Sequence, residues 1–138
     1  MIPQIVKALI YQNERFLLQL RDDSPEIAYP NQWSFFGGEI ETGETPWEAL
    51  QRELEEELEW CPVGGSFLFH WINTENPCRI HFYAVPFRSS CKELVLHEGQ
   101  SYSWFTLNEL EHMDSVVPHV VTNLNRALAL LGDFKNSH

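Results

Sequence analysis

The chain has 138 residues, 43% apolar and 21% charged, a length and balance expected of one domain, residues 1–138, with its own core. Twenty Asp and Glu against nine Lys and Arg give a net charge of −11, so there is no basic field to grip a nucleic-acid polymer. No apolar run is long enough for a membrane span and no basic-then-apolar leader is evident; Cys61, Cys78 and Cys91 form no CxxC pair, so reduced thiols in a cytoplasmic protein are expected.

Residues 4–11 and 15–21 predict two strands around Gln12-Asn13-Glu14. In the second, Phe16, Leu18 and Leu20 alternate with Leu17 and Gln19, the pattern of a half-exposed strand. Arg21 ends that strand beside a loop, where a side chain can meet a ligand. Residues 22–32 hold two prolines and several turn formers, and a loop of this length often lines a site. Trp33 to Phe36 predicts a short strand running into Gly37-Gly38, a pair that permits a tight turn or a close approach of backbone to a ligand. Tyr29 and Trp33 either join the core or stack on a flat ligand ring.

A capped helix follows. Thr45 fits the N-cap, Pro46 the first helical position, and Glu48 closes a capping box. Trp47, Leu50, Leu54 and Leu58 form one apolar stripe, with Glu53, Glu56 and Glu57 on one flank and Glu48, Arg52, Glu55 and Glu59 on the other side. Like charges three or four apart cost about 0.2–0.5 kcal/mol per pair. These also crowd the helix end that favours cations. An outside cation is implied, and an all-oxygen set suits Mg²⁺ or Mn²⁺.

Residues 61–65 predict a turn, and 66–74 and 79–87 an antiparallel pair of strands, with Pro86 near the end of the second. His70, His81 and His97 show no ligand spacing and read as strand or surface histidines. Glu98 lies in a loop before Ser101–Phe105. Residues 107–112 predict one helical turn. The final helix, 116–131, places Val117, Val121, Leu124, Leu128 and Leu131 on a stripe and stops at Gly132, leaving a frayed tail. This order fits an α/β/α sandwich with a central mixed β-sheet.

Gly38 to Trp60 resembles the Nudix box, G-x5-E-x7-R-E-U-x-E-E-x-G-U, where U is aliphatic or bulky and apolar. Gly38, Glu44, Arg52, Glu53, Leu54, Glu56, Glu57 and Trp60 fall in register, and Glu59 replaces the late glycine. The flanks are similar too, in Trp33 to Gly38 and in Glu98 to Phe105, although Phe36 stands where the family usually has proline. The resemblance implies Mg²⁺- or Mn²⁺-dependent hydrolysis of a nucleoside diphosphate linked to another group, with a small phosphorylated nucleotide as substrate. It implies a metal cradle of Glu53, Glu56, Glu57 and the Gly38 carbonyl. Glu53 is the expected base with Glu98 its rival, Arg52 and Glu44 are orienting partners, and Arg21 and Trp33 are substrate contacts. Glu59→Gly is expected to leave activity within about tenfold, because that side chain should point away from Glu53. Two other readings are weighed: a non-catalytic nucleotide-binding module, marked by loss of box carboxylates, and an isomerase of isoprenoid diphosphates, which needs a catalytic cysteine and a larger chain. The sequence leaves the particular nucleotide and the oligomeric state open.

Overall fold

The computed structural model describes residues 1–88 and 94–131; Cys91, the stop at Gly132 and the tail beyond it lie outside the described residues. β1 (Gln4–Gln12) organises the sheet because it is paired along both edges. One edge runs parallel to β6 (Cys78–Pro86), from Gln4 beside Arg79 to Tyr11 beside Pro86. The other edge is shared. Its C-terminal end pairs antiparallel with β2 (Arg15–Leu20) across the turn at Asn13-Glu14, and its N-terminal half pairs with β4 (Phe36–Glu39). β2 also carries β7 (Ser101–Thr106) and, at its end, β3 (Trp33–Ser34); β5 (Ser66–Asn73) lies antiparallel to β6.

Strand alternation sends β1 side chains to two layers. Val6, Ala8 and Ile10 join Leu17, Phe36 and Val85 against Ala49, Leu50, Leu54 and Leu58 of α1 (Pro46–Leu58). On the opposite face, Leu9, Phe16, Leu18, Phe35 and Phe82 pack under Val120, Leu124 and Ala127 of α3 (Val120–Leu131), with Leu110 of the short α2 (Leu107–Glu111) beside them. The fold is the expected sandwich of helices around a mixed sheet. Among the described residues no helix is long and apolar enough to cross a membrane.

Three local expectations are corrected. β2 is not half-exposed: Phe16, Leu17, Leu18 and Gln19 are all buried, because helical layers cover both faces. Trp33 to Phe36 is not one strand ending in a turn; Gly37 and Gly38 lie inside β4, opposite Lys7 and Val6. The last helix begins at Val120, not Val116. The Trp33 N–H donates to the Ser115 carbonyl at 2.8 Å and the Val117 N–H to the Trp33 carbonyl at 3.0 Å, which holds this stretch extended. Pro118 also biases Val117 away from helix. Val117 is buried all the same, while Leu131 is exposed.

Candidate active site

The box helix is set by its own N-terminus. Thr45 Oγ1 accepts from the Glu48 N–H at 3.1 Å, Glu48 Oε1 accepts from the Thr45 N–H at 2.9 Å, and Pro46 opens the first turn. With Leu50, Leu54 and Leu58 fully buried, the rotation of the helix about its axis is fixed, and with it the direction of each glutamate.

Arg52 is the hub of the acidic side chains. Its Nε and Nη2 donate to the two Glu44 oxygens at 2.6 and 3.0 Å, and Nη2 also reaches the Glu39 carbonyl at 3.1 Å. Nη1 donates to Glu53 Oε1 at 2.9 Å and to Glu56 Oε1 at 3.3 Å, and lies 3.5 Å from Glu41. The Glu56 contact is the i,i+4 pairing that the sequence allows. The Glu53 contact, by contrast, carries the Arg52 charge onto the triple-Glu flank, away from its helical-wheel position. A wheel records where Cβ starts, and a long guanidinium stem carries the charge well away from it. The Glu44 bond holds the guanidinium above its usual range, and Arg52 in turn holds the Glu44 carboxyl below its own.

The glycines of β4 serve close approach. A Cβ on Gly38 would sit 2.3 Å from the Glu53 carboxyl carbon, and one on Gly37 (φ 151°) would sit 2.0 Å from the Val6 carbonyl oxygen. Glu53 therefore lies directly against the Gly38 backbone. Glu57 departs most from expectation. It is only 1% exposed, and neither carboxyl oxygen has a hydrogen-bond partner. Burial pushes the carboxyl up to about 10, helped by Glu53 and Glu98 and opposed by Lys7.

Glu98 arrives from a loop tied to the end of α1. The His97 N–H donates to the Glu57 carbonyl at 2.8 Å and the Val95 N–H to the Leu58 carbonyl at 3.2 Å. Beyond Glu98, the Gln100 N–H bonds the Leu20 carbonyl at 2.8 Å. Partial desolvation and then the Glu53 charge raise the Glu98 carboxyl, against the pull of Lys7 and Arg21. Glu53, Glu57 and Glu98 thus share one electrostatic neighbourhood. Arg21 belongs to it, and its Nε anchors the following loop through the Ala28 carbonyl at 2.8 Å.

Sequence reasoning passed over Lys7. Its Nζ donates to the Phe35 carbonyl at 3.2 Å, and desolvation lowers its pKa while Glu57 opposes that fall. The signal was present as a lone charge within an otherwise apolar strand core. Trp33 packs edge-on against Phe105 with ring centres 4.8 Å apart, beside the core layer under α3. His70 and His81 face each other across β5 and β6, 4.4 Å between rings. Among the described residues no three His, Cys, Asp or Glu side chains converge as a ready-made metal shell.

The family model described as NUDIX domain matches residues 1–124. The chain belongs to the Nudix family. Nucleoside triphosphatase NudI of Escherichia coli is 44% identical over 122 residues, covering 80% of this chain and 86% of that protein. CTP pyrophosphohydrolase of Escherichia coli is 29% identical over 106 residues, 77% of each. Among solved structures, the Escherichia coli ORF135 protein superposes with a TM-score of 0.76 at 26% identity, covering 95% of this chain and 91% of that one. The MutT protein of Methanosarcina mazei gives 0.77 at 22% identity, covering 91% of each chain. The Nudix box of this chain is thus the α1 segment with its preceding loop and the Gly38 end of β4, and every carboxylate of the motif is present.

Proposed function

We propose that this Nudix protein is a divalent-metal-dependent nucleoside triphosphate pyrophosphohydrolase, releasing a nucleoside monophosphate and pyrophosphate. The observation that carries the reading is Glu57: a buried carboxyl with two unpartnered oxygens, beside Glu53 and on an acidic helix face. Such a group is costly unless a cation meets it. The donors available there are carboxylate and carbonyl oxygens, which fit Mg²⁺ or Mn²⁺. Glu53, Glu56, Glu57 and the Gly38 carbonyl would hold the metal. When bound, it neutralises phosphate oxygens and lowers the pKa of water. The two relatives named as a nucleoside triphosphatase and a CTP pyrophosphohydrolase support the triphosphate as substrate class.

The chain's own groups divide the remaining work. Glu53, held against the Gly38 backbone and oriented by Arg52, accepts the proton of the attacking water; Glu98 is the rival base. Glu44 fixes Arg52 in a two-bond grip. Arg21 and the partly buried Lys7 are cations within electrostatic reach of Glu98, with Arg21 assigned to the polyphosphate and Trp33 to the nucleoside.

Arg52→Ala is expected to lower kcat about ten- to hundredfold, the range for partners that orient metal ligands. Arg52→Lys should recover only part of this, since an ammonium cannot span both Glu44 oxygens. Steady-state kinetics measure both; Arg52→Ala at wild-type kcat would remove the orienting role.

A panel of ribo- and deoxynucleoside triphosphates, nucleotide sugars, ADP-ribose and dinucleoside polyphosphates tests the function itself. Triphosphates should turn over fastest with Mg²⁺ or Mn²⁺, pyrophosphate should be the co-product, and excess chelator should abolish turnover. Preference for ADP-ribose would reject the substrate class, and turnover in chelator would reject the metal.

A further inference from the structure

The family glycine near the end of the box is Glu59 here, and the backbone still takes the glycine-like conformation, φ 54° and ψ 39°. A side-chain-bearing residue adopts this left-handed cap against a steric penalty that glycine avoids. The Glu59 carboxylate meets the imidazole Nε2 of His97, and both side chains are about half exposed. An exposed pair of this kind adds little to stability. For holding the helix end alone, glycine would serve better.

The position of His97 supplies another purpose. Its own N–H is bonded to the Glu57 carbonyl, the Val95 N–H to the Leu58 carbonyl, and the next residue is Glu98. The backbone of the loop is therefore fixed to the last carbonyls of α1, and the Glu59–His97 contact adds a side-chain tie immediately before Glu98. The Glu98 carboxyl lies within the electrostatic reach of Glu53 and Glu57. We propose that Glu59 is a positioning residue, whose grip on His97 clamps the 94–98 loop onto the end of the box helix and presents Glu98 to the carboxylate cluster. The inference deepens the hydrolase reading and rests on it for its kinetic consequence.

The test pairs stability with kinetics, because the two move in opposite directions. Glu59→Gly should keep or raise Tm, since the left-handed cap suits glycine, yet lower kcat about fivefold with KM little changed. His97→Ala should give a similar loss. The double variant should lose no more than either single one, and Glu59→Gly should have no further effect in a Glu98→Gln background. Wild-type kcat in Glu59→Gly, or losses that multiply in the double variant, would overturn the clamp. Hydrogen exchange separates this failure from failure of the functional reading. If the wild-type protein hydrolyses none of the panel, the function fails, while faster exchange of the Val95 and His97 amides in Glu59→Gly would still report the clamp. Unchanged exchange there would reject it.

Discussion

Glu53→Gln is expected to lower kcat by at least about a hundredfold, the lower end for loss of a general base. The substitution keeps the shape that fits against Gly38 and an oxygen for Arg52, so the fold should survive. What disappears is the negative charge, and with it both a metal ligand and a proton acceptor. Glu98→Gln is the informative comparison. If Glu98 only adjusts the surroundings of the metal, its loss is small and extra Mn²⁺ restores most of the rate. If Glu98 takes the proton, the loss persists at saturating metal. The acidic limb of the pH–rate profile should then vanish, a limb displaced upward from the ordinary carboxylate range because desolvation and Glu53 raise Glu98. Glu53→Gln enzyme with near wild-type turnover would transfer the base to Glu98.

Glu57→Gln should make the metal-free protein more stable at neutral pH while removing at least about 99% of its activity, through loss of a charged ligand. The sign follows from the folded carboxyl titrating near 10 against an ordinary 4.5. A group raised in this way contributes stability that is complete below about 4.5 and is lost as pH climbs toward 10. Through the neutral range the native state therefore carries a growing cost of keeping Glu57 protonated or burying its charge. The amide has no such cost, and it can donate to the Glu53 carboxylate beside it. Denaturant unfolding in chelator at pH 5 and pH 8 should show the variant's advantage growing by on the order of 4 kcal/mol, about 1.4 kcal/mol for each pH unit crossed. An advantage that is flat or shrinks with pH would mean that Glu57 is not buried as described.

The difference between what was legible in the sequence and what was not has a physical basis. α1 was readable because its signals are local: a capping box closed over three residues and an apolar stripe at helical spacing. The mixed sheet between helices was the arrangement that fitted both the element order and the family resemblance. Glu57 was legible as a box carboxylate but not as a buried one, since its burial is made by the rest of the fold. Arg52 was expected to orient its neighbours, and its reach to Glu53 was not legible, because its charge sits at the end of a long stem. The start of α3 was misread because the main-chain bonds between Trp33 and the 115–117 stretch are non-local. The Glu59–His97 contact is of the same kind: neither residue announces its partner in sequence.

The parallel pairing of β1 with β6 also bears on the order in which the molecule acquires its chemistry. Gln4 meets Arg79, so closing this ladder draws together distant parts of the chain, with the whole of α1 lying in the intervening loop. Ladders of such high contact order form slowly, because the entropy of closing the loop is lost before the contacts reward it. The box helix, capped by its own neighbours, needs no such closure to begin forming. Before the rest of the fold covers it, Glu57 is an ordinary hydrated glutamate, since the helix alone does not bury it. Its unusual acid–base character is therefore a late product of folding, and a nascent chain carries the complete motif before it carries the site.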